Sequence, residues 1–446
     1  MLKWKRFLTV LSVVGLVAVM LLAPYSINTK NVMAQVDSPN SGKSVMFFAN
    51  DEASTAFQNL LANKDEALVP IQQTLKNGNL NVSTLALTEA KQISNLEKVD
   101  GLAFPINEVR SNDSLQKSLQ QMLKNGEKIY LYGENVTFNE YKTLLGLSDV
   151  TVDVLGDSGE SMQFSFLEDS VNNEKGKLKE NPHSLAEKNE DAKQVIGYSL
   201  DNTAVNKVFS ATINSEGPNG NLKLRLEDYL QVILDDQIRT AEIEESYQSD
   251  KNASMGLFQE NAALAGLTLR KDSYDHIAYA KYNYTTFGKV YTDWKLYQQT
   301  SESVSGYDYF VVKEYMQPYT YNGSFIEDVK VDHDIPYDSD EIGEWGPSDS
   351  GGPTYSVSLS WPFSISYSFS MSSGPNVNEI GSQYYDYARW TMSTYSSGER
   401  FIPSTGWKSS GTYASMDIRD YVYFHVPGSQ GSTTRAYQKI DVNYDY

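Results

Sequence analysis

Between Tyr355 and Ser372 the chain alternates bulky and small residues without a single charge. Tyr355, Val357, Leu359, Trp361, Phe363, Ile365, Tyr367, Phe369 and Met371 hold one set of alternate positions. The positions between them are serine, with Pro362 as the one interruption. Successive side chains of a strand point to opposite faces, so the run predicts a strand with one oily and one hydroxyl face. Such a strand suits a sheet over a core, and it suits equally a barrel strand between lipid and water. The oily positions from Tyr355 to Phe369 are therefore the candidate surface for a membrane or a partner strand.

Other patterns divide the chain. From residue 44 to 155, strand-like and helix-like runs alternate. Ser44–Ala49, Leu80–Leu87, Gly101–Ile106, Lys128–Tyr132 and Val150–Leu155 read as strands. A helical stretch over Ser54–Lys76 ends at Asn77-Gly78, a usual helix stop. Leu115, Leu119, Met122 and Leu123 share one face of a second helix, and Phe138–Leu145 is a short third. This alternation predicts an α/β domain over residues 44–171, built on a doubly wound parallel sheet. Such sheets bind ligands beyond their strand C-termini. Those ends carry Asn50-Asp51-Glu52, Pro105-Ile106-Asn107 and Gly133-Glu134-Asn135. The acids of the first trio could hold a cation; acids at a helix start more often complement its dipole. No GxGxxG and no P-loop supports nucleotide binding.

Residues 172–193 are charged and poor in large apolar groups, which predicts a linker or exposed loop around His183. Residues 194–270 read as a mixed connecting region. It has strands at Val195–Leu200 and Val205–Ile213, a helix over Glu227–Glu244 and a second helical piece near Met255–Leu267. From about residue 271 the chain changes character: 24 of its 31 tyrosines and five of its six tryptophans lie beyond residue 270. Short strands separated by Gly, Pro, Asn and Ser clusters predict a C-terminal antiparallel β-sandwich over 271–446. The whole is thus an α+β multidomain chain.

The N-terminus reads as an export signal. Lys3, Lys5 and Arg6 precede 17 uncharged residues, Phe7 to Ala23, and Val32-Met33-Ala34 offers a cleavage site before Gln35. An uncleaved anchor is the alternative, because the apolar run nearly suffices to span a bilayer. Either way residues 35–446 are expected outside the cytoplasm. Cysteine is absent, which removes disulfides, thiolate metal sites and a cysteine nucleophile. The net charge of −20 argues against nucleic acid, whose phosphates it would repel.

Chemistry-bearing motifs are few. Asp332, Asp334, Asp338, Asp340, Glu341 and Glu344 crowd around His333. Carboxylates this dense can bind Ca2+, the one ion expected here, with Asp332, Asp334, Asp338 and Asp340 as candidate ligands. The run lacks EF-hand spacing, and a solvated acidic loop is the simpler reading. No other cofactor is expected. Asp349-Ser350-Gly351-Gly352-Pro353 resembles the segment around the nucleophile of chymotrypsin-like proteases, but Ser348 replaces the leading glycine of that motif. His276 and His333 lie in contexts that match no histidine base of that family, so the segment reads as a Gly-Pro turn. His425, in a strand-like run, reads as structural.

The region from about residue 277 resembles leukocidin and hemolysin-type pore-forming toxins. The resemblance lies in the serine-alternating run, the aromatic strand Tyr385–Met392, the segment Phe401–Trp407 and the closing strand Lys439–Tyr446. It implies a β-sandwich body whose stem hairpin detaches and assembles into a membrane barrel. No residue pattern identifies a reaction. The expectation is a secreted, non-enzymatic binding protein acting through its β domain on an extracellular or cell-surface ligand. A β-pore-forming cytolysin acting on membrane lipid is the alternative.

Overall fold

The computed structural model describes residues 43–50, 52–87, 99–147, 151–155, 161–165, 193–201, 207–252, 266–272, 274–299, 306–348, 351–360, 362–429 and 431–446. The export segment, nearly all of the charged stretch 172–193, His183, most of 255–267, Asp349, Ser350 and Trp361 lie outside these residues.

Strand β1 (Lys43–Ala49) pairs in parallel with β2 (Leu80–Ala86) and β3 (Gly101–Pro105), and β3 pairs in parallel with β4 (Lys128–Val136). Two helices, α1 (Ala53–Ala62) and α2 (Val69–Lys76), join β1 to β2. The pattern predicts one helix over Ser54–Lys76; the structure breaks it at Asn63–Leu68. Pro70 explains the break: it fits the first turn of a helix but clashes in an interior. Asp65 caps the intervening turn by accepting from the Ala67 N–H at 3.0 Å. Between β3 and β4 run α3 (Ile106–Arg110) and α4 (Asp113–Lys124). Asn112 caps α4, which buries Leu115, Leu119, Met122 and Leu123 as its spacing demands. Helix α5 (Phe138–Leu145) follows β4 and stops at Gly146, where φ is +66°. Strands β5 (Thr151–Leu155) and β6 (Ser161–Ser165) form a separate antiparallel pair.

The sheet does not end with its parallel strands. β7 (Lys193–Tyr198) pairs antiparallel with both β4 and β8 (Val208–Gly217), and β9 (Gly220–Asn221) edges β8. After α6 (Leu226–Asn252) and β10 (Leu267–Lys271), β11 (Tyr274–Tyr282) pairs in parallel with β8. The antiparallel strands β12 (Thr285–Gln299) and β13 (Asp308–Thr320) extend the sheet further. One thirteen-stranded sheet therefore crosses the position near residue 270 where composition changes.

A second, five-stranded antiparallel sheet lies over its C-terminal part. It contains β14 (Ile326–Asp334), β18 (Asn376–Ser382), β19 (Tyr387–Ser393), β21 (Tyr413–His425) and β22 (Thr433–Asp445). β15 (Asp340–Gly346) and β20 (Ser404–Ser409) complete the edge of the large sheet. Trp294, Phe310 and Val312 from the large sheet share one core with Val329, Trp390 and Val422 from the small one, giving a β-sandwich-like body. That core continues under α4 and α5. On the opposite face, Leu230, Ile233 and Leu234 of α6 pack with Phe47, Phe209 and Ile277.

The long strand expected from Tyr355 to Met371 is a hairpin instead. β16 (Thr354–Leu359) pairs antiparallel with β17 (Ile365–Ser370), with Tyr355 opposite Phe369 and Leu359 opposite Ile365. Pro362 lies in the turn, where its missing N–H costs no ladder bond, and Ser364 closes the turn at φ +52°. The acidic run is a loop only in part: Asp332 and Asp334 end β14, Asp338 lies in the connecting turn, and Asp340, Glu341 and Glu344 belong to β15.

Candidate binding sites

The hairpin β16–β17 keeps the two faces that the sequence assigns. Tyr355, Val357, Leu359, Phe363, Ile365 and Phe369 are buried, Tyr367 is half-buried, and the serines between them are exposed. Phe363 packs over Gly406, where a Cβ would stand 2.5 Å from its ring. Neither strand joins a larger sheet, so the hairpin is a ladder of its own. It is fixed to the body by packing and by side chains. The Tyr355 hydroxyl donates to the Pro375 carbonyl, and the Tyr367 hydroxyl donates to the Ile402 carbonyl at 2.9 Å.

The proposed calcium ligands are drawn apart. Asp332 is held by Arg389, whose Nη2 donates at 3.0 Å, and by Lys330 at 3.0 Å. Asp334 pairs with Arg419 at 3.0 Å. Asp340 accepts from the Ser415 N–H at 2.8 Å, and Asp338 is exposed. Cationic side chains thus stand where a cation would sit against Asp332 and Asp334. Among the described residues no group of three or more acids or histidines could hold a metal ion.

Two histidines are sealed in the interior. His276 Nδ1 lies 2.6 Å from Ser210 Oγ, a pairing of nucleophile and base by residue type. The Trp294 indole, however, donates to Nε2 at 3.2 Å. That donation leaves the ring proton on Nδ1, so the imidazole faces Ser210 as a donor and cannot take its proton. Burial, reinforced by Lys193, lowers the His276 pKa to about 3. His333 bridges Thr405 and Glu314, each at 2.7 Å, inside the sandwich. His425 lies near the surface, 3.1 Å from Glu327 and stacked on Phe325.

Helix α6 carries polar groups that its periodicity alone does not reveal. Asp228 pairs with Lys281 at 2.6 Å, Asp235 with Lys289 at 2.7 Å and Asp236 with Lys128 at 2.6 Å, all buried against the sheet. Burial, then Asp235, pushes the Tyr279 hydroxyl well above its ordinary range, so it remains the donor to that carboxylate. The sequence signal was present in Asp235-Asp236, an acid pair inside an apolar helix face. These paired charges tie the helix to the sheet and leave no open reaction site.

Among the described residues the most exposed large hydrophobic side chain is Tyr384, at 84%. It lies with Tyr385 in the turn from β18 to β19, the two rings edge to face with centroids 4.7 Å apart. Ile380, on β18, is also exposed. Positive φ at Asp386 (+53°) shapes this turn. The sequence pattern placed Tyr385 in a strand; the turn, not the strand, presents it.

A cleft of about 850 Å3 opens where β1, β3 and β4 end. Asn50 and Glu52 follow β1, Ile106 and Asn107 follow β3, and Glu134 and Asn135 lie at the end of β4. The structure thus brings the three strand ends named from sequence to one place. Lys223 and Arg225, just before α6, and Glu227 and Tyr229, in its first turn, close the cleft; the sequence marks a helix there but no ligand site. Arg110 Nη1 donates to Asn107 at 2.6 Å and its Nη2 to Glu140 at 2.7 Å, fixing one wall.

No family model matches the chain, and no curated protein matches it. Among solved structures, it is weakly similar to a pore-forming protein (TM-score 0.24, 6% identity, 40% of this chain and 93% of that one). Clostridium perfringens delta-toxin matches with TM-score 0.23 and 11% identity, over 40% of this chain and 92% of that one. The collagen-binding domain from a Staphylococcus aureus adhesin matches with TM-score 0.20 and 9% identity, over 34% of this chain and 95% of that one. These are partial, weak resemblances to both toxins and adhesins. Among the described residues no helix is long and apolar enough to cross a membrane, a statement that concerns helices and not strands.

Proposed function

We propose that the chain is a secreted, non-enzymatic binding protein that engages a cell surface through the small sheet of its C-terminal half. The observation that carries this reading is the Tyr384–Tyr385 turn, a pair of aromatic rings held in the open with Ile380 on the strand before them. Aromatic rings with a polar tip suit the boundary between apolar and wet surroundings, as at a membrane interface. Secretion rests on the charged-then-apolar N-terminal pattern. The absence of catalysis is supported by His276 and His333, which are buried and committed to internal partners.

A second reading rests on one specific observation: the hairpin β16–β17 is a free-standing ladder with an oily and a hydroxyl face. Released from the body, it has the alternation of a barrel stem. Its ladder pairs only six residues on each arm, however, and a membrane strand needs roughly 9–11.

The test is retention of the labelled mature chain, residues 35–446, on cells and on dye-loaded phosphatidylcholine vesicles. Retention without dye release is expected, and Tyr384→Ala with Tyr385→Ala is expected to abolish it with an unchanged melting temperature. Unchanged retention in that double variant overturns the binding reading. Dye release with detergent-resistant oligomers replaces it by the pore reading.

A further inference from the structure

The cleft at the ends of β1, β3 and β4 plays no part in the reading above. Its volume of about 850 Å3 falls within the range of roughly 300–1,000 Å3 of small-ligand sites. Its place is the one where open parallel sheets receive ligands, outside the carboxyl ends of their strands. Two properties of its lining select the ligand.

The first is charge. Glu52, Glu134 and Glu227 oppose Arg110, Lys223 and Arg225, so the lining is neutral in sum. Two of the three cations are already engaged. Arg110 is bound to Glu140 and Asn107. Arg225 lies 3.6 Å from Asp228, with its guanidinium 4.1 Å from the centre of the Tyr284 ring. A phosphate would meet three carboxylates against one unengaged ammonium. A divalent cation would find no cluster of three ligating side chains among the described residues.

The second is hydrogen-bonding capacity. The side chains of Asn50, Glu52, Glu134 and Asn135 line the cleft and make no hydrogen bond to the described residues. Amides both donate and accept, and carboxylates accept in pairs. A row of hydroxyls, each donor and acceptor at once, is complementary to that mixture. Leu224 and Leu226, both half-buried in the lining, add an apolar patch for the C–H face of a sugar ring.

We infer that this cleft binds a small neutral saccharide. The sugar's hydroxyls take the places of water on Asn50, Glu134 and Asn135, and a ring face lies against the apolar side. Binding is insensitive to salt, because neither partner carries net charge at the contact. It is also independent of the Tyr384–Tyr385 turn, so loss of one activity leaves the other intact.

Saturation-transfer NMR of the mature chain with a panel of neutral mono- and disaccharides tests this. Transfer to at least one sugar is expected, equal at low and high salt, and retained in the Tyr384→Ala, Tyr385→Ala variant. Glu134→Ala and Asn135→Ala, both at exposed positions, should each weaken it about tenfold while near-ultraviolet circular dichroism stays unchanged. No transfer to any sugar overturns the inference, as does transfer unaffected by both cleft variants. Competition by inorganic phosphate would overturn the ligand class. Failure of the surface-binding reading alone would appear as sugar transfer without cell retention.

Discussion

Glu314 lies fully buried between the two sheets, its Oε2 2.7 Å from His333 Nε2. Burial raises its pKa from 4.5 to about 8, and burial lowers that of His333 from 6.5 to about 4. Nearby Asp420 is also pushed well up, by burial first and then by Glu314. Both members of the Glu314–His333 pair are therefore neutral near pH 6, with the Glu314 O–H donating to the imidazole. The signs follow from proton uptake. A raised carboxyl binds its proton more tightly in the fold, so its stabilisation is full below about pH 4.5 and is lost as pH rises through 8. The depressed histidine works the other way: its contribution is lost as pH falls from 6.5 through 4. Above pH 6.5 only the carboxyl effect remains, and stability should fall toward pH 8. Glu314→Gln keeps a donor toward His333 and cannot ionise. Its stability should drop by on the order of 1 kcal/mol less over that interval than that of the unaltered chain, measured by urea unfolding at the two pH values. Equal slopes for the two proteins would show that Glu314 does not titrate there.

Among the elements, the hairpin β16–β17 shows how much a pattern can reveal and where it stops. Period-two alternation identified which positions turn inward, because a one-residue error would have put serines in the core. It could not tell one long strand from two short ones, because alternation continues unbroken through a tight turn. Pro362 was the available sign, and its meaning depends on whether the next strand pairs back. Ile365 is 3% exposed and faces Leu359. Ile365→Asp should therefore cost about 3 kcal/mol or more by burying an unpaired charge. Its neighbour Ser366 is exposed, and Ser366→Asp should change stability by less than about 0.5 kcal/mol. Denaturant midpoints of the two variants check the assignment of faces; equal effects would defeat it. Helix α6 shows the opposite limit. Its spacing marks a helix, but nothing in that spacing says whether Asp228, Asp235 and Asp236 meet solvent or a buried partner. Their lysine partners come from β4, β11 and β12, which no local pattern connects to the helix.

At the scale of the molecule, the shift to tyrosine-rich sequence near residue 270 invites a division that hydrogen bonding does not follow. β11 lies between β8 and β12, paired to both along its length. The candidate cleft was legible because strand ends are local features, whereas the continuity of the sheet depends on a parallel pairing across more than one intervening element. The sandwich core likewise runs on to Phe104 and Leu131 beneath α4. Cutting the chain ahead of β11 would turn a central strand into an edge and expose Ile277 and Tyr279, which α6 and the N-terminal strands now cover. It would also leave Lys281 and Lys289 buried against nothing in place of Asp228 and Asp235. The expected behaviour follows from these losses. Residues 35–446 should unfold in one cooperative transition, with tyrosine fluorescence and far-ultraviolet circular dichroism coincident. A fragment of residues 271–446 should aggregate or show no cooperative transition. Independent folding of that fragment, with a midpoint near that of the full chain, would mean that the β8–β11 pairing joins two self-sufficient domains and contributes little to either.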